Sequence, residues 1–250
     1  MSNIETKCLH AGYEQAETTT KSHAAPLYRT TSYRFDSTEH ANNLFTLKEL
    51  GNIYTRLMNP TTDILEQRVA ALDGGAAALG LASGTSAAFY SIINLAQKGD
   101  EIVSANNLYG GTYTQFNDIL PSMGIKVNFV DPLDPQNFDK AITPNTKAIY
   151  CEVVGNPLLD LVDLEAIGSI AHSYGIPLIV DATFSTPALC RPLEHNADIV
   201  VHSLTKWLGG HGTVIGGIVV DSGKFDWTTG KHPLLSEPEP SYWNTSFAKD

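Results

Sequence analysis

Residues 199–210 read Ile-Val-Val-His-Ser-Leu-Thr-Lys-Trp-Leu-Gly-Gly. The run Ile199-Val200-Val201 has the character of the end of a buried strand, and the two glycines mark where the chain turns away. Between them stands Lys206, with Ser203 and Thr205 close by. A lysine is rarely buried without a partner. In a loop it is ordinarily a solvated charge. The alternative is an amine that reacts covalently with a carbonyl cofactor. Lys206 alone does not separate the two readings, so the surrounding chain must.

The 250 residues are enough for one large or two modest domains. Sixteen Lys and Arg against 27 Asp and Glu leave a net charge of −11, which argues against a nucleic-acid surface. An anionic cofactor remains compatible, because local amides and a few cations bind phosphate. The three cysteines, Cys8, Cys151 and Cys190, form no CxxC pair. A disulfide framework, a zinc site or any other metal site is therefore not expected, and a reducing cytoplasm is. The start, MSNIETKCLHAGYEQ, lacks the basic and apolar regions of a signal peptide, and no apolar run reaches membrane-spanning length.

Residues 1–60 are polar and irregular, and read as an extended arm. From Pro60 the pattern changes. TTDILEQRVAAL (61–72) predicts a helix capped by Thr61 or Thr62, with Ile64, Leu65, Val69 and Leu72 on its apolar face. AAALGLAS (76–83) predicts a short buried strand, and TSAAFYSIINLAQKG a helix ending at Gly99. Strands follow at 101–105, 126–130, 147–154, 177–183 and 197–203, separated by helical stretches, the first of them GTYTQFNDILPSMG (111–124). A last strand, 214–220, comes so soon after its predecessor that an antiparallel member is expected. Short Val/Ile-rich strands alternating with helices predict a mostly parallel sheet covered on both faces. In such sheets ligands bind beyond the carboxyl ends of the strands.

Those ends carry polar residues. Ser83-Gly84-Thr85-Ser86 stands where a helix begins, either as an ordinary cap or as an anion site made of outward amides. Tyr109 leaves the next strand before two glycines, where an aromatic can be core or can cover a flat ligand. Glu152 and Asn156 end a third strand, with Asn156 also readable as a turn residue. Asp181 ends an apolar strand, where a carboxylate needs a partner. No GxxxxGK[ST], GxGxxG after the first strand, HExxH or GxSxG occurs, which makes a nucleotide-binding protein remote. A phosphate loop, an aromatic plate, a strand-end acid and a lysine between hydroxyls, in that order, are what pyridoxal phosphate enzymes of the aspartate-aminotransferase fold require.

The sequence resembles the Cys/Met-metabolism family of pyridoxal phosphate enzymes, and within it the O-acetylhomoserine sulfhydrylases. The resemblance starts at CLHAGY (8–13). Its most specific segments are YTRLMNPTTDILEQRVAALDGG (54–75), ASGTSA (82–87), LYGGTY (108–113), EVVGNP (152–157), VDATF (180–184) and HSLTKWLGGHG (202–212). It implies that Lys206 carries the cofactor and shuttles protons. It implies that Asp181 pairs with the protonated ring nitrogen, with Thr183 beside it, and that Tyr109 stacks on the ring and assists proton transfer. Ser83, Gly84, Thr85, Ser203 and Thr205 are expected at the phosphate, and Glu152 and Asn156 on the side of the cofactor hydroxyl. Tyr54 and Arg56 are expected to reach the phosphate of a neighbouring subunit, within a homo-oligomer built as a dimer of dimers.

Gly111 stands where methionine γ-lyases resemble one another in having cysteine, and Tyr113 and residues 223–243 look like sulfhydrylases. The implied reaction converts O-acetyl-L-homoserine and sulfide into L-homocysteine and acetate. Alternatives are cystathionine γ-synthase, a γ-lyase or methionine γ-lyase and, in another class, a truncated fragment that binds the cofactor without turnover. Family members carry a further C-terminal domain that supplies an arginine for the substrate carboxylate. The arginines here are Arg29, Arg34, Arg56, Arg68 and Arg191, all before Lys206. The expectation is therefore an extended arm (1–60) and an incomplete large domain (61–250), with the C-terminal domain absent from this chain.

Overall fold

The structure is a computed structural model that describes residues 3–249. Helix α1 (Ile4–His10) and helix α2 (Thr38–Phe45) lie in the segment read as an irregular arm, so that segment is partly helical. The first helix is tied to the domain: Lys7 Nζ donates to Ala71 O (2.8 Å), and Arg68 Nε to Ala11 O (2.8 Å).

Helix α3 spans Pro60–Asp73 and is capped by Asn59, whose side chain accepts the Thr61 N–H (2.9 Å), and not by Thr61 or Thr62. Pro60 explains the shift, since its fixed φ and missing N–H suit the first helical position and place the cap at the residue before it, Asn59. The Thr61 hydroxyl is used elsewhere, donating to Pro26 O and accepting the Tyr28 N–H (both 2.9 Å). Val69 and Leu72 are buried as expected, whereas Leu65 is exposed.

Strand β1 (Ala77–Leu81) and helix α4 (Gly84–Ile93) follow. The strand is not buried: Leu79 is 55% exposed. The helix stops at Ile93, short of Gly99. Strand β2 (Glu101–Ala105) leads to α5 (Gly110–Thr114), a wide turn at Gln115–Ile119 and α6 (Leu120–Ser122). The wide turn ends two residues before Pro121, which has no N–H to continue the regular ladder. Then come β3 (Lys126–Val130), α7 (Gln136–Ala141), β4 (Thr146–Glu152), α8 (Leu164–Ser173), β5 (Leu178–Asp181), β6 (Ile199–Ser203) and β7 (Gly217–Asp221).

Among the described residues the seven strands form one sheet, ordered β1-β7-β6-β5-β4-β2-β3. The pairs from β6 through β5, β4 and β2 to β3 are parallel; β7 runs antiparallel to both β6 and β1. This is the mostly parallel α/β sheet the alternation predicts. The central strands β4, β5 and β6 are buried on both faces, and their apolar runs form the core with Ile92 and Ile167 from the helices and Phe116 from the wide turn. The position of β1 at the sheet edge accounts for its exposure, because an edge strand has a neighbour on one side only.

Candidate active site

Two contacts bring the beginning of α4 against the end of β6 and the start of β7. A Cβ on Gly84 would lie 2.6 Å from Ser203 Cβ, and one on Gly217 would lie 2.0 Å from Ser83 O. Only glycine permits both approaches. Ser83 caps α4, accepting the Ser86 N–H (3.0 Å). The first turn of a ten-residue helix thus faces the strand ends, with its dipole favouring an anion there.

The loop after β6 forms a second wide turn, Leu204–Leu208, closed by the Gly209 N–H on Leu204 O (3.0 Å). Lys206 departs from helical geometry inside it, with φ −99° and ψ −121°. Turns of this kind are frequent at functional sites. Thr205 Oγ1 holds the loop to the chain entering β7, accepting the Gly216 N–H (3.1 Å). Thr183 Oγ1 accepts the Ser203 N–H (2.8 Å), joining the ends of β5 and β6.

Glu152 and Asp181 end adjacent parallel strands as aligned partners. The Tyr109 N–H donates to Glu152 Oε1 (2.7 Å), and the Thr183 N–H to Asp181 Oδ1 (2.9 Å). Burial raises both carboxyl groups. For Glu152, burial and then the neighbouring Asp181 push the pKa up to about 8, against the pull of the Tyr109 amide. For Asp181, burial dominates over the donors from Thr183, the charge of His202 and the hydroxyl of Tyr150.

These elements enclose a cavity of about 570 Å³ beyond the strand ends. Ser83, Gly84 and Thr85 line one part, Tyr109, Glu152 and Asn156 another, and Asp181, Thr183, Ser203, Thr205 and Lys206 the remainder. Residues from five separate segments therefore converge on one cavity. Tyr54 and Arg56 do not line this cavity: both are exposed, with the guanidinium 5.4 Å from the Tyr54 ring centre. Thr112, Phe184, Trp207 and Ile215 line it without having been singled out. Trp207, next to Lys206 and 66% exposed, could have been flagged by its position alone. Tyr150 was also missed, although strand period places it on the face of β4 that carries Glu152.

An open, mostly parallel sheet with a lysine, a strand-end acid and a helix N-terminus around one cavity defines a domain of the aspartate-aminotransferase class. A family model described as Cys/Met metabolism PLP-dependent enzyme matches residues 5–235, and the chain belongs to that family. It is 56% identical over 243 residues to the O-acetyl-L-homoserine sulfhydrylase of Leptospira meyeri, covering 97% of this chain and 55% of the relative. It is 50% identical over 250 residues to the homocysteine synthase of Schizosaccharomyces pombe, covering 99% of this chain and 58% of that protein. A crystal structure from Campylobacter jejuni, described as an O-acetylhomoserine (thiol)-lyase bearing a pyridoxyl-lysine monophosphate, superimposes with a TM-score of 0.96 at 38% identity. That match covers all of this chain and 62% of the other. The chain thus spans 55–58% of the length of these two curated relatives.

Proposed function

We propose that this chain is the cofactor-binding part of an enzyme that converts O-acetyl-L-homoserine and sulfide into L-homocysteine and acetate. The observation that carries the reading is the convergence of Lys206, Asp181 and the start of α4 on one cavity. The residues fit pyridoxal phosphate. Gly84 leaves a cradle at the helix start that a side chain would fill. Asp181, raised by burial, gains a partner in a cationic ring nitrogen. Tyr109, half-exposed at the cavity, offers a face to a flat ring.

Lys206 holds the cofactor covalently, Asp181 its ring nitrogen and Tyr109 its face. Ser83, Gly84, Thr85, Ser203 and Thr205 hold the phosphate, and Glu152, Asn156 and Thr183 surround the ring. When bound, pyridoxal phosphate supplies an electron sink that acidifies the hydrogen on the amino-acid Cα. Lys206 Nζ, freed when the substrate amine takes its place on the cofactor, would take that proton as general base and return it later. Loss of a second proton, from Cβ, lets acetate leave Cγ; sulfide then adds at Cγ and the protons return. Tyr54 and Arg56 serve the site of a neighbouring subunit in a dimer of dimers. The protein acts in the cytoplasm; among the described residues, no helix is long and apolar enough to cross a membrane.

The test is steady-state formation of homocysteine by full-length protein, with sulfide and with cysteine as nucleophile, alongside borohydride reduction and peptide mapping. Sulfide should support turnover, and reduction should fix the cofactor on the peptide containing Lys206. Preference for cysteine would move the assignment to cystathionine synthesis. Labelling at another lysine would remove Lys206 from its role.

A further inference from the structure

Tyr150 is the largest fully buried side chain among the described residues. Its ring meets Phe116 edge to face, with centres 4.9 Å apart. A phenylalanine would fill nearly the same volume, and a phenolic hydroxyl in a core is costly unless it finds a partner. The partner is Asp181: Tyr150 Oη lies 3.3 Å from Oδ2. The other oxygen, Oδ1, accepts the Thr183 N–H (2.9 Å). Both oxygens of the acid are therefore held from the protein side, and Tyr150 itself does not line the cavity.

We infer that Tyr150 is a positioning residue, whose O–H fixes the plane of the Asp181 carboxylate and keeps it ionised toward the cavity. What Asp181 then meets rests on the proposed cofactor; the coupling between the two side chains does not. Burial raises Asp181, and a donor to the charged form opposes that. Tyr150 remains a donor, because burial first, and the charges of Asp181 and Glu152 next, push its phenol well above the usual range. The other ionisable groups facing Asp181 are Cys151 and Glu152 on β4 and His202 on β6, with Lys206 in the same cavity. None of these takes over the bond to Oδ2.

The experiment follows Asp181 by carbon-13 NMR of its carboxyl group in cofactor-free protein, in the wild type, in Tyr150→Phe and with 3-fluorotyrosine at position 150. Tyr150→Phe should move the Asp181 titration to higher pH. The fluorinated ring, a stronger donor of the same shape, should move it to lower pH, and this second arm stands if the phenylalanine variant does not fold. Titrations unmoved by either change overturn the inference. In the holoprotein, Tyr150→Phe should weaken pyridoxal phosphate binding about tenfold to a hundredfold at pH 6, the effect of one hydrogen bond to a charged group, and less at pH 9. In an Asp181→Asn background the same change should have little effect. An equal loss in both backgrounds at every pH would make Tyr150 a packing residue and also overturn the inference. Failure of the wild type to take up pyridoxal phosphate would instead count against the proposed function, while the NMR titrations would still decide the role of Tyr150.

Discussion

Glu152 shows how one buried carboxyl group couples folding to pH. Its pKa stands at about 8 in the folded protein, against an ordinary value of 4.5. The folded state therefore binds more protons than the unfolded chain between those values. The stability this contributes is fully present below about 4.5 and is lost as pH rises through about 8. Glu152→Gln keeps an oxygen for the Tyr109 N–H and cannot ionise. The cofactor-free variant should be more stable than wild type at pH 8, by about 2–4 kcal/mol, and close to it near pH 4.5. Asp181 is raised in the same direction, so part of the slope should survive in the variant. Urea denaturation across this pH range would check it, and an unchanged slope would mean that Glu152 is ionised in the fold.

At the level of elements, the strongest constraint is the approach of α4 to the ends of β6 and β7. Gly217→Ala would set a Cβ 2.0 Å from Ser83 O, a backbone atom that cannot swing aside. The helix start must then move. The expected result is a loss of about 1–3 kcal/mol, typical of overpacking, together with weakened phosphate binding at the cavity. Thermal denaturation and inorganic phosphate titration would measure both. A second test concerns α3. Asn59→Ala removes the acceptor of the Thr61 N–H and the donor to Tyr28 O, so it should cost about 1–2 kcal/mol. Thr62→Ala, at an alternative cap position of the sequence reading, should cost much less.

Across the whole molecule, Tyr54 and Arg56 are exposed and do not line the cavity, and their segment is anchored where Thr55 N donates to Thr31 O (2.9 Å). Nearby Leu50 and Leu57 are 91% and 55% exposed. Under the proposed assembly these residues meet a neighbouring subunit. Full-length Arg56→Ala and Lys206→Ala variants, each weakly active, should regain part of the activity when subunits are exchanged, because one site in a mixed dimer is intact. Mixed dimers that form without regaining activity would place both residues in the site of one chain.

The sequence by itself determined the alternation of strands and helices, the antiparallel β7 and the polar residues at the strand ends. These are local properties: side chains repeat every two residues in a strand and every 3.6 in a helix, and glycines punctuate the exits. The loop around Lys206 was legible for the same reason, since its hydroxyls and glycines lie within a few residues of the lysine. Strand order was decided only in three dimensions, and with it the exposure of β1, because pairing between distant segments leaves no trace in a local pattern. The same holds for the contact of Gly84 with Ser203 and for the bond from Tyr150 to Asp181. Each joins residues from different strands or helices, and only the packed sheet sets the distance between them.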